Sequence, residues 1–413
     1  MVLTVENARL DGARVGVRCE EGRITALGPE VAAAAGEETL DAGGAQLVPP
    51  LVNGHTHAAM TLFRGSGADL PLMPWLEEKI WPVEAKLSEE DVYWGARLAC
   101  AEMIRGGTTR FWDMYWHPEA TARAVKEAGM RAAIGAPLID LDGDAESMRR
   151  SALRSLDALS ELGPNIAPAL APHAIYTVSE ESLRWIAELG RERQVPIQIH
   201  LSETEKEVQD CIAEHGERPA AYLDRLGLLG ERTVLAHGVW LDPEELALIA
   251  ERGATVVTNP VANMKLAVGG VFPHPAARAA GVAVGLGTDG AGSNDSLDLI
   301  ADLKVFALAQ KHAAGDPTAI DATEAWAVAT GARAPLLGAT KLEAGAPADF
   351  LLLRADAPEL GIGELTADLV YAASGAVVDT TVVAGKVLMR GGELADLPEI
   401  VARAAERARG LGL

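Results

Sequence analysis

Cysteine is scarce in this chain. Cys19, Cys100 and Cys211 are the only three, widely spaced, odd in number and without CxxC spacing. That excludes a disulfide framework and points to a reducing, cytoplasmic setting. Basic charge is also short: 36 Lys and Arg stand against 59 Asp and Glu, a formal net charge of −23. Nucleic-acid binding leans on clustered Lys and Arg, so no nucleic-acid partner is expected. The same charge says little about a small-molecule substrate, because the field inside a pocket can oppose the net charge. No uninterrupted apolar run reaches membrane-spanning length, so no membrane partner is expected either. The opening residues Met1-Val2-Leu3-Thr4-Val5-Glu6 lack the basic and apolar regions of a signal peptide. Self-association as a homo-oligomer stays open.

What is present suffices for a large core. Of 413 residues, 49% are hydrophobic and 23% charged, which suits one large barrel with a small satellite domain. Up to residue 48 the chain reads as short strands and turns, such as 15–19 and 23–27 around Glu20-Glu21-Gly22. Then short apolar runs alternate with longer amphipathic stretches, the pattern of βα units on a parallel sheet. Strands are predicted over 47–52, 109–113, 131–138, 166–172, 196–200, 233–237, 254–259 and 282–289. Helices are predicted over 88–105, 179–193 and 298–312, the first opened by Ser88-Glu89-Glu90-Asp91 as a cap with an acidic first turn. Eight alternations over about 260 residues are what a closed (β/α)8 barrel needs. Strand-like pieces return at 349–353 and 380–385. The expected fold is α/β: a TIM-type (β/α)8 barrel over 49–345, inserted into a small β-sandwich domain made of 1–48 and 346–413.

The densest chemical signal is His55-Thr56-His57, which closes an apolar, extended run. Side chains at i and i+2 of a strand share a face, so two imidazoles there are placed to hold one metal ion. Imidazole suits zinc or iron. In a barrel, polar residues at the C-terminal strand ends converge on one mouth. Those ends carry His55 and His57, Asp113, His173, His200, His237 and Asp289, so five of the nine histidines gather there. His117, His215, His274 and His312 have no such partners and read as structural or surface residues.

One mononuclear site follows. His55, His57 and His200 supply nitrogens, and Asp289 supplies an oxygen ligand or a base beside it, leaving a position for water. A divalent ion brings the pKa of that water toward neutrality. Glu203, three residues after His200, is the candidate proton donor and acceptor. His237 is the candidate to orient the nucleophile or stabilise a tetrahedral centre. Taken singly, Glu203 and Asp289 read as solvated acids or helix caps, and His173 and His237 as hydrogen-bonded structural histidines. Asp113 stays undecided. Gly285-Leu286-Gly287 is weak as a phosphate loop, since no GxxxxGK[ST] accompanies it. The HxE and PCxxC signature of cytidine-deaminase zinc sites is absent.

The chain resembles the amidohydrolase superfamily over nearly its whole length, and within it the 5'-methylthioadenosine/S-adenosylhomocysteine deaminases and their triazine chlorohydrolase relatives. The resemblance rests on residues 53–65 (Asn53-Gly54-His55-Thr56-His57 onward), His200-Leu201-Ser202-Glu203-Thr204, Ala236-His237-Gly238-Val239, residues 259–267 (Asn259-Pro260-Val261-Ala262-Asn263 onward) and Gly287-Thr288-Asp289-Gly290. It implies one Zn2+, or Fe2+, on His55, His57, His200 and Asp289. Binuclear relatives carry a modified lysine at the end of strand four, where this chain has Ala171-Pro172-His173. By the same resemblance Trp75 packs on the substrate, Glu84 accepts ribose hydroxyls, and His173 and Glu203 contact the substrate. One departure stands out: members acting on S-adenosylhomocysteine carry arginines after strand three, where this chain reads Gly135-Ala136-Pro137-Leu138. Arg149 and Arg150 lie nearby without aligning. The implied activity is deamination of a 6-aminopurine nucleoside such as 5'-methylthioadenosine, S-adenosylhomocysteine or adenosine. The alternatives are a triazine chlorohydrolase, a guanine or pterin deaminase, an imidazolonepropionase-like enzyme, or a non-catalytic barrel.

Overall fold

In the computed structural model, residues 2–413 are described apart from 68 and 142. Two prolines decide where the chain changes sheet. The apolar run 47–52 is two strands, Gln46–Val48 and Leu51–Thr56, with Pro49-Pro50 between them. Neither proline has an N–H to give to a ladder, so the pairing must stop and restart there. Gln46–Val48 pairs antiparallel with Phe350–Leu353. It belongs to an eight-stranded sheet built on Val2–Leu10, with Ala13–Glu20 and Arg23–Gly28 on one side, Phe350–Leu353, Val378–Val383 and Lys386–Met389 on the other, and Glu38–Asp41 paired parallel to Val2–Leu10. Strands from both chain ends thus share one sheet and one core, in which Leu3, Val5 and Val17 meet Phe350 and Val382. The hairpin turn lies where expected: Glu21 (φ 49°) and Gly22 (φ 78°) both take the left-handed conformation that suits a two-residue β-turn.

Leu51–Thr56 opens the other architecture. It lies parallel to Thr108–Met114, then Arg131–Gly135, then Ile166–Pro168. A second parallel sheet runs Ile197–Leu201, Thr233–His237, Thr255–Thr258, Ala283–Leu286. The predicted strands 131–138 and 166–172 are each interrupted beside a proline, Pro137 and Pro168, and resume as the short parallel pair Pro137–Leu138 and Ala171–Pro172. The two sheets meet at both margins. Single bridges join Leu170 to Ile197 and Ala174 to His200. On the far side the Asp289 N–H donates to the His55 carbonyl at 3.1 Å. Gly287 makes that approach possible, since a Cβ there would lie 2.3 Å from Asn259 Oδ1 and 3.0 Å from the His55 backbone nitrogen. Close packing, not phosphate binding, accounts for this glycine.

Helices cover the parallel strands. Glu89–Arg105 begins with the expected cap: the Asp91 N–H donates to Ser88 Oγ at 3.3 Å, and the Ser88 N–H donates to Asp91 Oδ2 at 2.9 Å. Ser179 and Asp298 cap Glu180–Arg193 and Leu299–Ala314 by accepting backbone N–H bonds, without the reciprocal bond. The last helix, Leu397–Leu411, packs on Glu89–Arg105 rather than on the eight-stranded sheet; Arg97 pairs with Asp396, and Ala404 shares a core with Tyr93 and Ala96. Among the described residues no helix is long and apolar enough to cross a membrane.

Candidate active site

The parallel strands deliver their polar residues to one end. His55 lies within Leu51–Thr56, His57 just beyond it, and His200 within Ile197–Leu201; His237 ends Thr233–His237. His173 follows Ala171–Pro172, and Asp289 lies three residues past Ala283–Leu286. His237 (φ 75°) and Asp289 (φ 61°) hold left-handed backbone conformations, strain that the surrounding pairing must sustain to aim these side chains inward.

The geometry is that of a shared ligand point. His200 Nε2 lies 3.1 Å from His55 Nε2 and 3.3 Å from His57 Nε2. Asp289 Oδ1 lies 3.2 Å from His57 Nε2 and 3.5 Å from His55 Nε2. His55, His200, His237 and Asp289 each bring one ligand atom within 4.8 Å of the others. The outer ring nitrogens are tied back. His57 Nδ1–H donates to the Met114 carbonyl at 2.6 Å and His200 Nδ1–H to the His173 carbonyl at 2.7 Å, which leaves both Nε2 lone pairs facing inward. Asp289 Oδ2 accepts from Ser293 Oγ at 2.6 Å, while the buried Oδ1 has no hydrogen-bond partner.

Charge points the same way. Burial is the main cause that drives the His55 imidazole down to about 4 and His173 to about 3, and holds His200 well below its usual value. These rings stay neutral at pH 7. Burial also opposes charge on His57 and Asp289, but their mutual contact outweighs it, lifting His57 to about 9 and holding Asp289 well below the carboxylate range. Inward-facing imidazole nitrogens, one ionised carboxylate and an orphaned carboxylate oxygen in a buried site fit a divalent ion.

Glu203 and His237 border this cluster. His237 Nδ1 donates to Asn263 Oδ1 at 2.7 Å and lies 3.8 Å from Glu203 Oε1. Burial pushes the Glu203 carboxyl up, toward the protonated form a general acid needs. Asp113 also finds a place: its Oδ1 accepts the Ala58 N–H at 2.7 Å and so fixes the turn that follows His57. Burial raises its carboxyl to about 6.

Trp75 and Glu84 come from one helical segment, in which a π-helical turn, Leu76–Ile80, separates Leu72–Trp75 from Trp81–Glu84. Such turns re-aim side chains at functional sites. The Trp75 indole N–H donates to the Ser66 carbonyl at 3.0 Å, which leaves the ring to line a cavity. Glu84 Oε2 accepts from Trp116 Nε1 at 3.3 Å, and burial raises its carboxyl. The cavity brings together His57, Trp75, Glu84, His173, His200, Glu203, His237 and Asp289. His55 lies beneath it, fully buried.

The structure adds residues that the sequence did not mark as functional: Ser293 on Asp289, Asn263 on His237, and Tyr115 and Tyr176 in the cavity wall. Asn263 lies inside a motif that had signalled resemblance but no role. Arg149 is engaged elsewhere, with Ser182 Oγ at 2.7 Å and Glu181 Oε1 at 2.8 Å, and Arg150 pairs with Glu146.

Residues 47–388 match the family described as the amidohydrolase family. The chain is 49% identical over 380 residues to a 5'-deoxyadenosine deaminase of Methanoregula boonei, covering 90% of this chain and 86% of the relative. It is 43% identical over 404 residues to a 5-methylthioadenosine/S-adenosylhomocysteine deaminase of Moorella thermoacetica, covering 95% and 94%. A solved adenosine deaminase from Xanthomonas campestris with bound zinc superposes with a TM-score of 0.92 at 35% identity, covering 100% of this chain and 98% of that one.

Proposed function

This chain belongs to the amidohydrolase family, and from that premise we propose that it is a metal-dependent aminohydrolase that deaminates a 6-aminopurine nucleoside. It is a hydrolase of C–N bonds in cyclic amidines. The observation that carries this assignment is one cavity bounded at its floor by the His/Asp cluster, Glu203 and His237, and at its mouth by Glu84 and Trp116.

His55, His57, His200 and Asp289 are the residues that would hold the divalent ion, with Zn2+ first and Fe2+ second by donor chemistry. When bound there, such an ion supplies an activated water to the purine C6. The rest is done by side chains. Glu203, whose carboxyl is pushed up by burial, gives a proton to N1 of the ring, which makes C6 electrophilic. His237 uses Nδ1–H on Asn263, which leaves Nε2 to accept a hydrogen bond from the attacking water and orient it. Asp289 takes the proton released as the C6–O bond forms and passes it to the exocyclic amine. The C6–N bond then breaks, ammonia leaves, and the proton of the added hydroxyl returns to Glu203 as the C6 carbonyl forms. Trp75 covers one face of the ligand, His173 contacts it, and Glu84 accepts from two ribose hydroxyls.

We read the two parallel sheets as one (β/α)8 barrel over 49–345, supported by the hydrogen bonds at both margins. Residues 1–48 and 346–413 supply the β-sandwich domain, supported by the sheet that draws on both chain ends, except that the last helix, Leu397–Leu411, packs on Glu89–Arg105. A cytoplasmic location agrees with three free, buried cysteines.

Ammonia release by the metal-loaded protein tests the assignment on adenosine, 5'-deoxyadenosine, 5'-methylthioadenosine, S-adenosylhomocysteine and guanine, with chloride release followed for a chlorotriazine. Turnover of 6-aminopurine nucleosides is expected. Turnover of guanine or the triazine with no nucleoside reacting would replace it with the hydrolase alternative.

A further inference from the structure

We propose that a second chamber, beyond Glu84, is the subsite for the substituent on the nucleoside's 5' carbon, and that it takes apolar alkyl or alkylthio groups rather than an amino-acid tail. This rests on the deaminase assignment above, which leaves that substituent open.

The chamber adjoins the catalytic cavity and shares Trp81, Glu84, Trp116, Ile139 and Tyr176 with it. A ribose gripped by Glu84 therefore sits on the boundary, with adenine toward the metal ligands and the 5' carbon toward the outer space. That outer space opens to solvent and has room for more than a hydroxyl or methylthio group. Its additional apolar lining is Leu87, Leu141 and Met148. Trp81 and Leu141 are 36% and 54% exposed, large apolar side chains left at the mouth with nothing over them.

No Lys or Arg lines the chamber among the described residues. Two of its polar groups, His117 and Thr177, are already engaged. A His117 ring nitrogen is on the Leu87 carbonyl at 3.2 Å, and the Thr177 hydroxyl is 2.9 Å from His173 Nδ1. The two arginines nearest in sequence are held by Glu181, Ser182 and Glu146. A tail carboxylate entering here would lose water, find no cation and approach Glu84, whereas an alkyl chain would cover exposed apolar surface.

The test is kcat/KM of the zinc-loaded enzyme for adenosines carrying 5'-methylthio, 5'-propylthio and 5'-hexylthio groups, beside S-adenosylhomocysteine. The hexylthio compound should match or exceed the methylthio compound, and both should exceed S-adenosylhomocysteine by about tenfold or more. A tenfold or greater fall from methyl to hexyl, or S-adenosylhomocysteine equal to the methylthio compound, overturns the proposal. Leu141→Arg, at an exposed position, should move the ratio of S-adenosylhomocysteine to hexylthio turnover about tenfold toward the former; an unchanged ratio also overturns it. If no nucleoside, adenosine included, releases ammonia, the deaminase assignment has failed instead. Calorimetric binding of the same four compounds then ranks the chamber by the same criteria.

Discussion

Glu207 holds Glu203 by its backbone: one oxygen of the Glu207 carboxylate accepts the Glu203 N–H at 2.9 Å, and the other accepts the Ser202 N–H at 2.8 Å. Ser202 sits at φ 50°, so the loop between His200 and Glu203 is bent into a conformation it would not keep alone. Both carboxylate oxygens are needed. Glu207→Gln would set an NH2 group against a backbone N–H and release one side of the loop. We expect kcat to fall about tenfold or more with bound metal unchanged, as for a displaced acid–base group. Glu203→Gln sets the floor, at about a hundredfold or more. Steady-state kinetics with metal analysis checks both, and full activity in Glu207→Gln would show that the clamp is dispensable.

Metal content follows from the ligand geometry. The purified protein should hold about one divalent ion per chain. His55→Ala or His200→Ala should lose it or bind it at least ten times more weakly, since each removes an inward-facing nitrogen. Plasma emission analysis after dialysis reads this directly. Two ions at full occupancy would contradict a site in which Ala171–Pro172 leads into His173 and offers no lysine.

Glu84 tests the sugar contact. Glu84→Ala should keep its metal and lose roughly 2–4 kcal/mol of transition-state stabilisation for adenosine, the scale for removing a buried charged acceptor. Adenine, which has no ribose, should respond little. Equal losses for base and nucleoside would remove the ribose role and leave Glu84 as a partner of Trp116 alone.

Acid stability should depend on His274, far from the metal cluster. The ring is buried beside Phe306 with both nitrogens lacking hydrogen bonds, and its nearest carboxylate, Glu324, is 3.6 Å away. Burial, only partly offset by Glu324, lowers it from 6.5 to about 4. As pH falls, the unfolded chain takes the proton first. This contribution is therefore complete above the unfolded pKa and is lost between pH 6.5 and about 4, a range worth at most roughly 3 kcal/mol. Urea unfolding of wild type and His274→Gln at pH 7 and near pH 4.5 should show a smaller acid loss in the variant. Equal acid losses would assign the effect to other groups.

Short-range features were legible in the sequence because they are settled within a few residues. The i, i+2 spacing of His55 and His57, the cap at Ser88 and the positive-φ turn at Glu21-Gly22 each depend only on local backbone geometry and side-chain chemistry. The apolar rhythm likewise marked the parallel strands, except where Pro49-Pro50, Pro137 and Pro168 interrupt runs that hydrophobicity alone reads as continuous. Partner choice was a different matter. That Ser293 would bond Asp289, Asn263 would bond His237 and Glu207 would clamp the Glu203 loop depends on which donors the turns bring within 3 Å, and many equivalent polar residues compete for those places. Arg149 and Arg150 illustrate the limit. Nearness in sequence made them candidates for a substrate carboxylate, but the packing of helix Ala145–Ser160 beside Glu180–Arg193 commits Arg149 to Glu181 and Ser182. Composition and motif determined the chemistry of the inner site. Only the tertiary fold decided which charges are absent from the chamber beside it, because a side chain's direction is set by the helix it sits on and the neighbours that satisfy it.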